Sequence, residues 1–310
     1  VLGGPIGPVP GADRPVRDSE TGGMAGQPLT GGLDPVAGHG TFITGIVHQL
    51  CPDAVVLSCR LYGGDGVIAE SGLLGALRRL LLFHVLGLLG RPSYLPVDVV
   101  TLSLGYYHER PEDADFDGPL GAVLLGLRRL GVAVVVSAGN DGQSRPMHPA
   151  AFAPRLASWD PVVPAEPGSL DRSQPPLVAV GALNPDGSTA LFSNDGPWVT
   201  CLRPGAAVVS TLPVTTDGSV GSVRGLPGMR PGEGRRTIAP LRVGGGIGVW
   251  SGTSFSGPLL AGELAAEILA GREAADESVS AQAGSIGDAV GQRRDAAWRA
   301  ITATTGLAAP

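Results

Sequence analysis

The sequence reads as an α/β protein with three layers: a mostly parallel, doubly wound sheet with helices on both faces. Two observations predict this. From Gly38 onward, short apolar runs rich in β-branched residues and leucine alternate with longer stretches of helical period, the pattern of strands buried on both sides. Hydrophobic residues make up 43% of the 310 positions and charged residues 16%. A chain of that length and composition can bury about three-quarters of its unfolded surface in one core, so a single domain over 1–310 is expected.

Taken in order, the first 34 residues are rich in Gly and Pro and carry no predicted element. A helix is predicted over 39–50, beginning at His39. Strands follow over 54–61, 97–104, 132–137 and 177–182, and helices over 70–89 and 118–130 separate the first three, giving two right-handed crossovers. The most apolar stretch, 73–90, is interrupted by Arg78 and Arg79 and holds His84, so it reads as a buried helix rather than a membrane span. Two segments without a clear period, 141–176 and 213–248, are expected as surface insertions. A helix is predicted from Ser254 to about residue 270. Residues 271–310 then form a polar linker and a short helix near 286–302.

Composition removes several function classes. The net charge of −6 argues against nucleic acid as a partner. All 22 basic residues are arginine, so neither a Walker A lysine nor a Schiff-base lysine exists. Cys51, Cys59 and Cys201 lack paired zinc spacing and are too few for a disulfide framework. They read as small buried hydrophobes, with one disulfide left open.

Three fragments carry candidate chemistry. Ser254 in Gly252-Thr253-Ser254-Phe255-Ser256-Gly257-Pro258 stands at the start of a helical pattern. There the dipole and free backbone N–H groups favour a developing anion, although a plain N-cap has the same signature. His39 in Gly38-His39-Gly40-Thr41 is either a structural histidine or a base flanked by permissive glycines. Asn140 in Ser137-Ala138-Gly139-Asn140-Asp141-Gly142 follows the carboxyl end of a central strand, where open α/β sheets bind ligands. It is either an oxyanion donor or a turn asparagine.

Together these fragments resemble the subtilase family. Gly38-His39-Gly40-Thr41 is similar to its histidine box, and the stretch from Gly252 to Pro258 to its serine box. Ser137-Ala138-Gly139-Asn140 resembles the strand end that supplies the oxyanion asparagine, and Ser103-Leu104-Gly105 the edge that pairs with substrate backbone. Phe192-Ser193-Asn194-Asp195-Gly196 and Arg203-Pro204-Gly205 resemble two further family turns, all in the family's order.

The resemblance implies a serine endopeptidase acting through an acyl-enzyme, with Ser254 as nucleophile, His39 as general base and Asn140 as oxyanion donor. Ser103, Leu104, Gly105, Ala138 and Gly139 would bind an extended polypeptide substrate. It implies no cofactor for the chemistry. Structural calcium is frequent in the family and is assigned to no residue here. A monomer, secreted or at the cell surface, is expected, although no signal peptide is visible.

One part of the family pattern is missing. The triad aspartate precedes the histidine by roughly thirty residues in this family, and residues 5–10 contain no acid. Asp13 and Asp18 follow no apolar strand, and Asp34 is too close to His39. The aspartate is therefore expected upstream of Val1, in a strand outside this sequence. The rival reading is a homologue that has lost its acid and captures peptides without cleaving them.

Other motifs are set aside. Asp113-Ala114-Asp115-Phe116-Asp117-Gly118 imitates a calcium loop, but its closing position is Leu124 rather than Glu. Gly244-Gly245-Gly246-Ile247-Gly248 opens no helix and is no dinucleotide fingerprint. An α/β-hydrolase would need Gly-x-Ser-x-Gly and a different order of residues. His48, His84, His108 and His148 show no partner spacing, and no metal ligands are expected.

Overall fold

The computed structural model describes residues 25–27, 32–33, 36–61, 66–166, 168–213, 246–276 and 285–310. Two compact units are distinguished: Val1–Gly45, Val55–Leu73 and Val209–Val249 in one, Ile46–Ala54, Leu74–Val208 and Trp250–Pro310 in the other.

In the smaller unit, β1 (Ala25–Gln27) and β2 (Gly32–Leu33) form an antiparallel pair. The helix α1 (His39–Leu50) begins here, as predicted. The expected strand over 54–61 is not formed, and no strand pairs with it among the described residues. Val55 is 71% exposed; an apolar run becomes a buried strand only when neighbours cover both its faces and edges.

The larger unit holds the sheet. The helix α2 (Glu70–Leu88) precedes β3 (Val99–Leu102), then come α3 (Gly118–Arg129) and β4 (Ala133–Ser137). A hairpin of β5 (Leu156–Trp159) and β6 (Val162–Pro164) follows, then β7 (Leu177–Leu183) and β8 (Cys201–Pro204). Short strands β9 (Val208–Thr211) and β10 (Ile247–Trp250), which lie mostly in the smaller unit, pair with each other. The chain ends in α4 (Thr253–Asp276) and α5 (Ile286–Thr305).

The main sheet runs β3-β4-β7-β8, every pair parallel. Its register puts Val135 beside Val178 and Ala133 beside Val99. Side chains alternate faces along a strand, so Ala133, Val135, Val178 and Val180 share one face. There they pack against Leu260, Leu264 and Ile268 of α4 and Ala297, Ala300 and Ile301 of α5. Val134, Val136, Leu177 and Ala179, equally buried, face the opposite layer. Helices on both faces agree with the predicted α/β class.

Polar links fix the helices to the strands. Arg293 Nη2 on α5 donates to Val97 O and to Asp98 Oδ1, each at 2.6 Å, and Arg272 on α4 pairs with the same carboxylate. Arg203 of β8 meets Glu263 of α4 at 2.8 Å and Thr304 O of α5 at 2.6 Å. The last helix is longer than predicted. Ser285 caps it with a reciprocal Asp288 bond, and Gly306 closes it at φ +77°.

The helix α2 is long and apolar enough to cross a membrane by length and composition. Only one stripe of it is buried, Leu73, Leu77, Leu80 and His84, while Leu82 is exposed. Its spacing is that of a helix packed by one face. The segment expected as an insertion over 141–176 contains the β5–β6 hairpin, whose Leu156 joins the core. The 213–248 segment lies almost wholly outside the described residues. No disulfide joins the three cysteines; Cys51 is buried as expected, but Cys59 is exposed.

Candidate active site

Within the larger unit, the carboxyl ends of β3 and β4 converge on the amino end of α4. Thr253 opens that helix and Ser254 follows it. A helix amino terminus leaves N–H groups unpaired, and here Asn140 answers one of them. Its Oδ1 accepts from Thr253 N at 2.7 Å and from Thr253 Oγ1 at 3.0 Å. Because the oxygen must face those donors, the side-chain NH₂ of Asn140 is turned away from them. Asn140 itself is exposed.

The serine is held through its backbone. Pro258 sits inside α4 and lacks the N–H that would bond to the carbonyl four residues back, Ser254 O. Ser103 Oγ supplies the missing donor at 3.0 Å. Gly257, one residue earlier, lets α4 approach the sheet: a Cβ there would meet Ser137 Oγ at 3.0 Å. Ser254 is half-buried between the buried Thr253 and Phe255.

The Asn140 loop is clamped by a residue to which the sequence assigned no role. Asn194 is fully buried. Its Oδ1 accepts from Asp141 N at 3.1 Å and Gln143 N at 3.2 Å; its Nδ2 donates to Ala138 O at 2.9 Å and Tyr107 Oη at 2.6 Å. Gly139 adopts φ +110°, and a Cβ there would run into Asn194 Nδ2. Glycine is required at that position on both counts. Ser193 fixes the same turn by accepting from Ala182 N and donating to Asn194 O, both at 2.9 Å. The signal available in the sequence was the Phe-Ser-Asn turn itself. The Pro204-Gly205 turn also supports the site, since Gly205 O accepts from Gly252 N at 2.8 Å, just before the serine.

The expected substrate edge lies just beyond β3, at one margin of the sheet. Among the described residues, Leu104 and Gly105 make no backbone–backbone hydrogen bond, whereas Tyr106 pairs with His148 in both directions at 2.9 Å. Ala138 and Gly139 stand at the end of the neighbouring strand β4. Met147 fills the space beside both glycines: a Cβ on Gly105 would collide with it, and one on Gly139 would lie 2.7 Å from its Sδ.

His39 is the first residue of α1, in the smaller unit. Gly38 precedes it at φ +76°, a conformation suited to glycine, and its carbonyl accepts the first helical bond from Phe42 N at 2.9 Å. Ser210 Oγ donates to Phe42 O at 2.7 Å and Thr211 Oγ1 to Thr41 O at 2.9 Å, which straps the start of α1 to β9. Burial pushes the His39 imidazole below its ordinary value, favouring the neutral ring. The candidate acids Asp13, Asp18 and Asp34 lie outside the described residues.

Comparison with known proteins identifies the family. A curated relative, the extracellular basic protease of Dichelobacter nodosus, is 25% identical over 227 residues, 72% of this chain and 31% of that protein. The chain thus spans about a third of the length of this curated relative. A solved lanthipeptide protease superposes with a TM-score of 0.54 at 19% identity, over 82% of this chain and 66% of that one, and so shares the fold. A cold-adapted subtilisin-like serine proteinase gives a TM-score of 0.48, also at 19% identity, over 76% and 62%. The model of the subtilase family matches residues 25–282, which take in the histidine, asparagine and serine boxes, and the chain therefore belongs to the subtilase family.

Proposed function

We propose that the chain is a serine endopeptidase in which Ser254 attacks the scissile carbonyl and His39 takes and returns the proton. The observation that carries this reading is the anchoring of Asn140 on Thr253 at 2.7 Å, beside the nucleophile's own helix terminus. That anchor leaves the Asn140 amide and the Ser254 N–H to receive the oxyanion. Such preorganised donors gain most where they need not reorient during reaction.

An extended peptide adds a strand along Ser103, Leu104 and Gly105, using the backbone groups of Leu104 and Gly105, with Ala138 and Gly139 on its other side. Met147 limits the side chain that fits between Gly105 and Gly139, so small or slender residues are favoured next to the cleaved bond. The neutral His39 favoured by burial is the form a general base needs. As in its curated relative, named as extracellular, the place of action is outside the cell.

The test is labelling with a fluorophosphonate probe. The chain, expressed with whatever its gene encodes before Val1, is expected to be modified at Ser254. The Ser254→Ala and His39→Ala variants are expected to lose the label. A folded protein that binds peptide but leaves Ser254 unlabelled would refute the peptidase reading and leave the capture of peptides.

A further inference from the structure

Three side chains that the site described above does not use converge on one another, His108 and Asp117 from one stretch of chain and His148 from about thirty residues further on. His108 Nε2 lies 2.9 Å and His148 Nε2 3.2 Å from one and the same oxygen, Asp117 Oδ2. The other carboxylate oxygen, Oδ1, accepts from Tyr106 Oη at 2.7 Å. The imidazole centroids are 4.3 Å apart, and the three ligand-type atoms all lie within 4.8 Å of one another. Asp117 is buried, and both histidines are largely covered.

The two lone pairs of Asp117 Oδ2 can accept from both imidazoles, and the same three atoms converge closely enough to serve as ligands to one ion. Ordering the two imidazoles side by side costs conformational entropy. Two neutral imidazole nitrogens and a carboxylate form a donor set for a borderline-soft divalent ion. With metal–ligand bonds of about 2.0–2.1 Å, a tetrahedral zinc site separates its ligands by about 3.3 Å along each edge. The His148–Asp117 separation of 3.2 Å is close to that edge, and the His108–Asp117 separation of 2.9 Å would lengthen by about 0.4 Å on binding the ion.

We propose that His108 Nε2, His148 Nε2 and Asp117 Oδ2 form a three-ligand site for a divalent transition-metal ion, zinc being the natural occupant. Tyr106 orients the carboxylate from outside the ligand set, as outer-shell partners do. A fourth position remains for water. The oxygen-seeking ions calcium and magnesium are poorly served by two imidazoles. The chelate would join three segments: the one following Gly105, the turn before α3, and the loop that carries Met147. Zinc would therefore lock the Tyr106–His148 pairing and hold Met147 beside Gly105 and Gly139. The site does not depend on the peptidase reading.

Neither His108 nor His148 showed a partner in the sequence, because forty residues separate them and Asp117 was part of an apparent calcium loop.

The test uses the full chain, stripped with chelator and then titrated with zinc alone and with cobalt alone. One equivalent of zinc is expected to bind and raise the Tm, and cobalt is expected to give the intense visible bands of four-coordinate geometry. Calcium is expected to do neither. His108→Asn and Asp117→Asn should abolish the cobalt bands, and Tyr106→Phe should weaken zinc binding by about 10–100-fold. The Tm of each metal-free variant shows that the chain still folds. No stoichiometric zinc binding by the parent chain, or zinc binding of parental affinity in folded His108→Asn, would overturn the proposal.

Discussion

Lowering the pH from 7 to 5 is expected to weaken folding of the larger unit through one side chain, His84. Its ring is fully buried in α2, accepting from Val97 N at Nδ1 (2.9 Å) and facing Leu130 O with Nε2 (3.3 Å). Burial, with the Arg293 charge adding to it, lowers its pKa to about 4. In the unfolded chain the ring titrates near its ordinary 6.5. Between those values the unfolded state binds the proton and the folded state does not, so stability is present above 6.5 and falls as the pH drops towards 4. Integrating the linkage gives a loss of about 2 kcal/mol between pH 7 and pH 5, and up to about 3 kcal/mol in all. Protonating Nδ1 would also remove the acceptor for Val97 N–H.

The assay is urea unfolding followed by tryptophan fluorescence at pH 7, 6 and 5, on the parent chain and on His84→Gln. All four tryptophans, Trp159, Trp198, Trp250 and Trp298, lie in the sheet-bearing unit, so the signal reads that unit. The variant is expected to be the less stable protein at pH 7 and to lose less on acidification, because every other titrating group is shared. The gap between the two should shrink by about 2 kcal/mol by pH 5. A gap that stays constant with pH would refute the assignment of a neutral, buried His84.

Three further outcomes are expected. Asn140→Ala should lower kcat by about 10²–10³ with little change in KM, the range measured for the oxyanion asparagine of subtilisin itself; an unchanged kcat in peptide hydrolysis would remove Asn140 from the mechanism. Ser103→Ala should cost about 1 kcal/mol in the parent chain and much less alongside Pro258→Ala, which restores a backbone donor to Ser254 O; additive costs in urea unfolding would contradict the substitution of one donor for the other. Gly139→Ala should destabilise more than Gly187→Ala: both sit at positive φ, a strain of about 1–2 kcal/mol, but only Gly139 has a buried neighbour in the way of a Cβ. Equal shifts in Tm would refute the close approach of Asn194.

The central layer was legible because its strands are buried on both faces: 132–137 and 177–182 are nearly continuous Val, Ala and Leu, and burial made that composition necessary. The helices over 39–50, 70–89 and 118–130 were legible from period and length. Short pairings were not. The strands β8 to β10 hold four residues each and are mostly exposed or half-buried, so they carry no distinctive period. The 54–61 run failed in the opposite sense, as apolar sequence without partners. Among the candidate residues, Ser254, His39 and Asn140 stood out because helix starts and strand ends demand particular residue types. Asn194 and the meeting of His148 with His108 and Asp117 depend on contacts across tens of residues, which local pattern cannot register.

The buried Asn194 gives the asparagine loop and the turn after β7 a single fate. Gln143, Asp141, Ala138 and Tyr107 all hang on one amide supplied from more than fifty residues later. A loop swap that imports residues 138–143 from a cousin without its matching 192–196 segment brings a lock with no key. Directed evolution of selectivity in this chain would therefore move faster by recombining the two segments as one cassette than by randomising either alone.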